Sequence, residues 1–143
     1  MSDQLTPLQT IERVVAWYAK QPRDYQNIDR LQYSAKTLSC ALFDFASEVG
    51  GLYKQRNRTE FQRKAEFGRI YRELMAAEQR PSVSAAEKEA ESLVSTLRDE
   101  EQQADAEYMA AKMLLETAKG VHDQMRQQIG LLRSEKEGTK VQY

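Results

Sequence analysis

The chain has 143 residues, 41% hydrophobic and 30% charged, with few glycines and prolines and a formal net charge of −1. That is one domain's length, too charged for a thick globular core and suited to extended helices. No run approaches the ~20 apolar residues of a membrane span, the opening MSDQLTPLQ has neither the basic nor the apolar region of a secretory signal, and the lone Cys40 excludes an intrachain disulfide and fits a reducing, cytoplasmic setting.

A short helix is expected over 6–20. Thr6 can cap it, Pro7 suits the first helical position, and Gln9 completes a capping box. Leu8, Ile11, Val15 and Tyr18 then share a face, and Pro22 stops the helix. A long helix is expected over 28–79. Leu31, Ala35, Leu38, Leu42, Phe45, Val49 and Leu52 recur at alternating four- and three-residue spacing, as in a coiled-coil seam. The next seam positions are Arg56, Thr59 and Arg63, and an apolar stripe resumes one step out of phase at Phe67, Tyr71 and Leu74. Such a slip resembles a stutter. Gly50 and Gly51 lie inside this helix and call for either a close backbone approach or a bend.

The segment RPSVS breaks the pattern, and Ser84 with Glu87 forms the capping box of a second long helix, expected over 84–136. Its seam runs through Ala90, Val94, Leu97, Glu101, Ala104, Tyr108, Ala111, Leu115, Ala118, His122, Met125, Ile129 and Leu132. A flexible tail is expected over 137–143. The short break between two long helices implies an all-α, single-domain chain built as a long antiparallel helical hairpin. The packing seam is assigned to Leu38, Leu42, Phe45, Val49, Leu97, Tyr108, Leu115, Met125, Ile129 and Leu132. One hairpin gives thin cover to its apolar stripes and leaves off-seam aromatics such as Trp17 and Phe43, so a homo-oligomer is expected.

The near-zero net charge hides a block pattern. Residues 53–77 carry +4 (seven basic, three acidic) and residues 78–107 carry −6 (three basic, nine acidic). In the basic block, Tyr53, Phe61, Phe67 and Tyr71 are interleaved with the cations. Basic groups that follow a backbone and aromatics that stack on bases are what single-stranded nucleic acid requires. The candidate contacts are Lys54, Arg58, Phe61, Arg63, Lys64, Arg69 and Arg72, with Phe61, which points away from both seams, as the stacking residue. The competing reading is a solvated face that pairs with the acids of 78–107 across the hairpin. Glu101 stands at the seam where it could face Arg56 or Arg63. His122 is the only histidine and is read as a packed residue. The sequence contains no Gly-rich phosphate loop, metal-ligand spacing or nucleophile–base–acid arrangement. No catalytic residue, metal or cofactor is therefore expected, and the chain is not read as an enzyme.

The order of these features, LQYSA at Leu31–Ala35 opening a long helix, a basic mid-section, a polar break, and a second long helix with YMAAKMLLETAKGVHDQMRQQIGLLR at residues 108–133, resembles the recombination mediator proteins of T4-like phages, the UvsY type, over about residues 29–135. The resemblance implies a ring-like homo-oligomer that binds single-stranded DNA. It implies two further partners, a strand-exchange recombinase that the protein loads and the single-strand binding protein that covers the DNA. For a phage-encoded chain the setting would be the host cytoplasm. The alternative is a non-enzymatic coiled-coil assembly protein, such as a phage scaffold or adaptor, without nucleic-acid binding.

Overall fold

The computed structural model describes residues 4–141, with side chains to residue 138. The order is α1 (Pro7–Ala19), α2 (Ile28–Ala76), α3 (Val83–Leu93) and α4 (Ser95–Val141), with no strand among the described residues. The fold is all-α, as the periodicity implies. The chain divides into two compact units: the described residues up to Glu48 together with those from Lys112 onward, and Val49–Ala111.

In the first unit, α1 begins as its sequence dictates. The Thr6 side chain accepts from the Gln9 backbone N–H at 3.1 Å, and the Gln9 side chain accepts from the Thr6 N–H at 3.0 Å. Ile11 on α1, Leu31 and Leu38 on α2, and Met125 on α4 are fully buried, with Leu42, Phe45, Leu115 and Ile129 nearly so. Leu132 is half-buried. The seam residues therefore bury one another inside a single chain. One polar side chain ties the pieces together. Tyr18 Oη donates to Gln128 Oε1 at 2.8 Å, and Gln128 Nε2 donates to the Tyr25 carbonyl at 2.8 Å. Trp17 meets Tyr25 edge-on, and the Arg30 guanidinium lies over the Trp17 ring.

In the second unit, α2 and α4 run antiparallel. Tyr53 packs on Tyr108, Arg56 bonds Asp105, and Arg63 bonds Glu101, so ascending positions on α2 meet descending ones on α4. Beyond them Ile70 packs with Ala90 and Val94, flanked by Phe67, Tyr71 and Leu74. The expected slip of phase is thus absent. Ile70 lies seven residues after Arg63, in register with the seam, and is the buried position, while Phe67, Tyr71 and Leu74 border it. Tyr108 and Leu97 are half-buried, and Val49 is buried.

Several boundaries differ from expectation. The second long helix is interrupted at Val94, which has φ −98° and ψ 11°. The flanking ladder survives the kink: the Val94 N–H bonds the Ala90 carbonyl at 3.1 Å, and the Arg98 N–H bonds the Val94 carbonyl at 2.9 Å. Val94 is fully buried, as its place on the seam implies, but the kink there leaves no trace in periodicity. The cap is Ser82 rather than Ser84. Ser82 has extended backbone and its side chain accepts from the Ala85 N–H at 3.2 Å, which leaves Ser84 inside the first turn. Helix α2 ends at Ala76 rather than 79, and α4 is helical to Val141, through most of the expected tail; residues 142 and 143 lie outside the described residues.

Helix α2 passes unbroken through Gly50 and Gly51. A Cβ added at either would meet nothing within 4 Å, and neither has positive φ. No close backbone approach requires them. Gly50→Ala and Gly51→Ala should therefore each stabilise the chain by about 0.5–1 kcal/mol, chiefly by restricting the unfolded state. Leu38→Ala should cost about 2–5 kcal/mol, because a side chain with no exposure leaves a cavity. Urea melts followed by circular dichroism check all three, with the 66%-exposed Leu131→Ala as a control expected to stay near wild type.

Candidate nucleic-acid interface

The basic block lies on α2 in the second unit, and the structure sorts its seven cations into two groups. Four are engaged by acids. Arg56 Nε bonds Asp105 at 2.8 Å and lies over the Tyr108 ring. Arg63 Nε donates to Glu101 Oε2, with the two side chains only 16% and 23% exposed. Lys64 Nζ bonds Glu60 at 2.7 Å one turn back. Arg69 is held from both sides, by Glu66 with two donated bonds and by Glu73 at 2.7 Å. The remaining three, Lys54, Arg58 and Arg72, are exposed and make no ion pair among the described residues.

At 100° per residue these three unpaired cations fall with Phe61 in one sector about 60° wide. That sector lies opposite the seam positions Thr59, Arg63 and Ile70. Phe61 is 73% exposed, an unusual place for a large aromatic with no packing partner. The stripe extends for about 27 Å along α2, at 1.5 Å per residue from Lys54 to Arg72. The pairs Glu60–Lys64 and Glu66–Arg69–Glu73 flank it on either side.

The pairs also set local protonation. Hydrogen bonding to Lys64 holds the Glu60 carboxyl below the usual carboxylate range, and Arg69 does the same for Glu66. The bond to Glu101 raises the Arg63 guanidinium, and Glu66 first, then Glu73, raises that of Arg69. Arg63 and Arg69 are thus spent within the fold. A wheel sets Arg63 at the seam, opposite Lys54, Arg58 and Arg72, where Glu101 can meet it, but it does not separate Arg69 from those three. Of the other aromatics, Tyr53 leans on Tyr108, and Phe67 and Tyr71 stack on each other beside the Ile70 cluster. Periodicity gave no sign of Gln128, which clamps α1 and its connector onto α4.

The acidic block supplies more than partners. Asp99 and Glu100 are exposed and unpaired among the described residues, and with Gln103 and Glu107 they line a groove whose opposite wall is Gln55 and Thr59. Among the described residues no group of three His, Cys, Asp or Glu side chains has metal-binding geometry, and no helix is long and apolar enough to cross a membrane. Comparison with protein-family models, with curated proteins and with solved structures finds no match.

Glu101→Gln should destabilise the chain by about 1–2 kcal/mol. It leaves a half-buried guanidinium without its counter-charge, a smaller loss than the 3–5 kcal/mol of a fully buried pair because water still reaches both groups. The double variant Arg63→Met, Glu101→Leu should recover that loss, as a urea titration would show. Glu60 and Glu66 titrate lower in the folded chain than in the unfolded one. Their contribution is therefore present at neutral pH and disappears as the solution is acidified from the ordinary glutamate range of about 4.3 through their folded values. Acid titration of wild type against Glu60→Gln, Glu66→Gln by circular dichroism checks the direction.

Proposed function

We propose that this chain is an oligomeric accessory protein that binds the backbone of single-stranded DNA along the solvent face of α2. In this role it helps load a strand-exchange recombinase, as a recombination mediator does. The observation that carries the DNA reading is the stripe of three unpaired cations, Lys54, Arg58 and Arg72, around the exposed ring of Phe61. Unpaired cations release counterions when they meet phosphates, and a solvent-facing ring offers a stacking platform indifferent to base identity. The recombination setting, with a recombinase and a single-strand binding protein as partners, rests on the resemblance of residues 29–135 to the UvsY type.

A second reading is favoured by the fate of the other four cations. Arg56, Arg63, Lys64 and Arg69 are neutralised by acids of the same chain. A chain that spends most of its basic block in this way would suit a coiled-coil assembly protein, in which the two pairs that cross to α4, Arg56–Asp105 and Arg63–Glu101, fix register.

A fluorescence titration with labelled single-stranded DNA at two salt concentrations separates the readings. On the DNA reading, Lys54→Ala, Arg58→Ala, Arg72→Ala should weaken binding and flatten the log–log salt slope by about 2 per engaged chain, at roughly 0.7 per lost contact. Phe61→Ala should cost about 1–3 kcal/mol with the slope unchanged. Arg69→Ala should do less than Arg58→Ala, because Arg69 is already paired. Absence of binding by wild type at low salt would give the assembly reading the field.

A further inference from the structure

The first unit has a second, unpartnered face on α2. Tyr33, Lys36, Cys40, Phe43, Asp44 and Ser47 recur at three- and four-residue spacing, opposite the buried seam of Leu31, Leu38 and Phe45. All six are exposed, Tyr33 by 73% and Phe43 by 80%. Leu5, Pro7 and Thr10 of the α1 end form the other wall of a shallow groove along this face. Two exposed aromatics on one helix face at seam spacing, Tyr33 and Phe43, mark a surface that a partner can cover.

The charges identify that partner. Lys36 lies four residues before Cys40 and Asp44 four residues after it. Neither makes an ion pair among the described residues, and about 12 Å of helix rise separates them, so they do not reach one another. We propose that this face pairs with the same face of a second copy of the chain, antiparallel, about a two-fold axis beside Cys40. A two-fold axis there brings Lys36 of each copy opposite Asp44 of the other, twice, and Tyr33 opposite Ser47. A parallel pairing would instead set lysine against lysine and aspartate against aspartate. The interface is self-complementary in charge in one orientation only, as a closed dimer contact must be. The small side chains of Cys40 and Ser47 let the helices approach. At interaxial distances of about 8–10 Å and a Cα radius of about 2.3 Å, the two Cys40 Cα atoms would lie roughly 3.4–5.4 Å apart, which overlaps the range that a disulfide spans.

This proposal is independent of the nucleic-acid reading, and its test contains no DNA. Static light scattering of the full chain at micromolar concentration should give at least twice the 16.5 kDa chain mass. Phe43→Ala should raise the dissociation constant of the pair about thirtyfold, as loss of an aromatic anchor does. Lys36→Glu should weaken pairing, and Lys36→Glu, Asp44→Lys should restore it. Diamide, which takes up the two protons and two electrons of two thiols as they form a disulfide, should link wild type into a covalent dimer. Cys40→Ser should not link. Nor should Cys40→Ser, Ser47→Cys, since position 47 lies about 21 Å from its copy in the antiparallel pair. A mass of one chain, an assembly indifferent to Phe43→Ala and Lys36→Glu, or equally ready linkage through position 47 would each overturn the proposal.

Discussion

Arg63 and Glu101 meet at the middle of a seam where two apolar side chains would pack with less trouble. Two half-buried charges leave water for a single bond between them, and such pairs add little net stability. What they add is register. A run of aliphatic residues at four-three spacing tolerates a slide of one heptad with modest loss, whereas a slide here would part Arg63 from Glu101 and set its guanidinium against Val94 or Tyr108. Arg56 on Asp105 repeats the constraint two turns away, with the same sense of direction. Once these two bonds hold α2 against α4, the rest of the second unit follows. Ile70 falls opposite Ala90 and Val94, and Thr59, buried between the two pairs, satisfies its hydroxyl on the Arg56 carbonyl.

The same two bonds decide which cations remain for other work. A helix that turns one arginine of the block inward necessarily presents the residues half a turn away to solvent. Lys54, Arg58, Phe61 and Arg72 are outward because Thr59, Arg63 and Ile70 are inward. The pairing of basic and acidic blocks across the hairpin and the presence of a free basic stripe are therefore two consequences of one register.

The helical content, the α1 cap and most of the seam were legible from spacing alone, because each depends on local pattern: Thr6 with Gln9, and the apolar recurrence from Leu31 to Val49 and from Ala104 to Ile129. The failures share a cause. Ile70 looked like one apolar residue among several, and Phe67, Tyr71 and Leu74 offered an equally regular stripe; which of two stripes is buried depends on what α3 presents, and that is a tertiary fact. The kink at Val94 and the choice of Ser82 over Ser84 are of the same kind, since both serines carry the side chain a cap needs. In the candidate site, the wheel separated Phe61 from the seam correctly. It could not divide Arg69 from Arg72, whose fates differ because Glu66 and Glu73 both reach Arg69 while neither bonds Arg72.

Three free cations on one chain make a weak hold on a charged polymer, and unpaired acids in the same unit work against it. Asp99 and Glu100 repel a phosphate backbone over roughly the same range at which Arg58 attracts it, about 10 Å at 0.1 M salt. A single copy gains little from such a balance. On the proposed reading, copies joined through another surface would change the arithmetic without changing any contact, since a second stripe would meet the strand at the high effective concentration that linkage provides. On that proposal assembly and DNA binding would be coupled through number rather than through any change of shape.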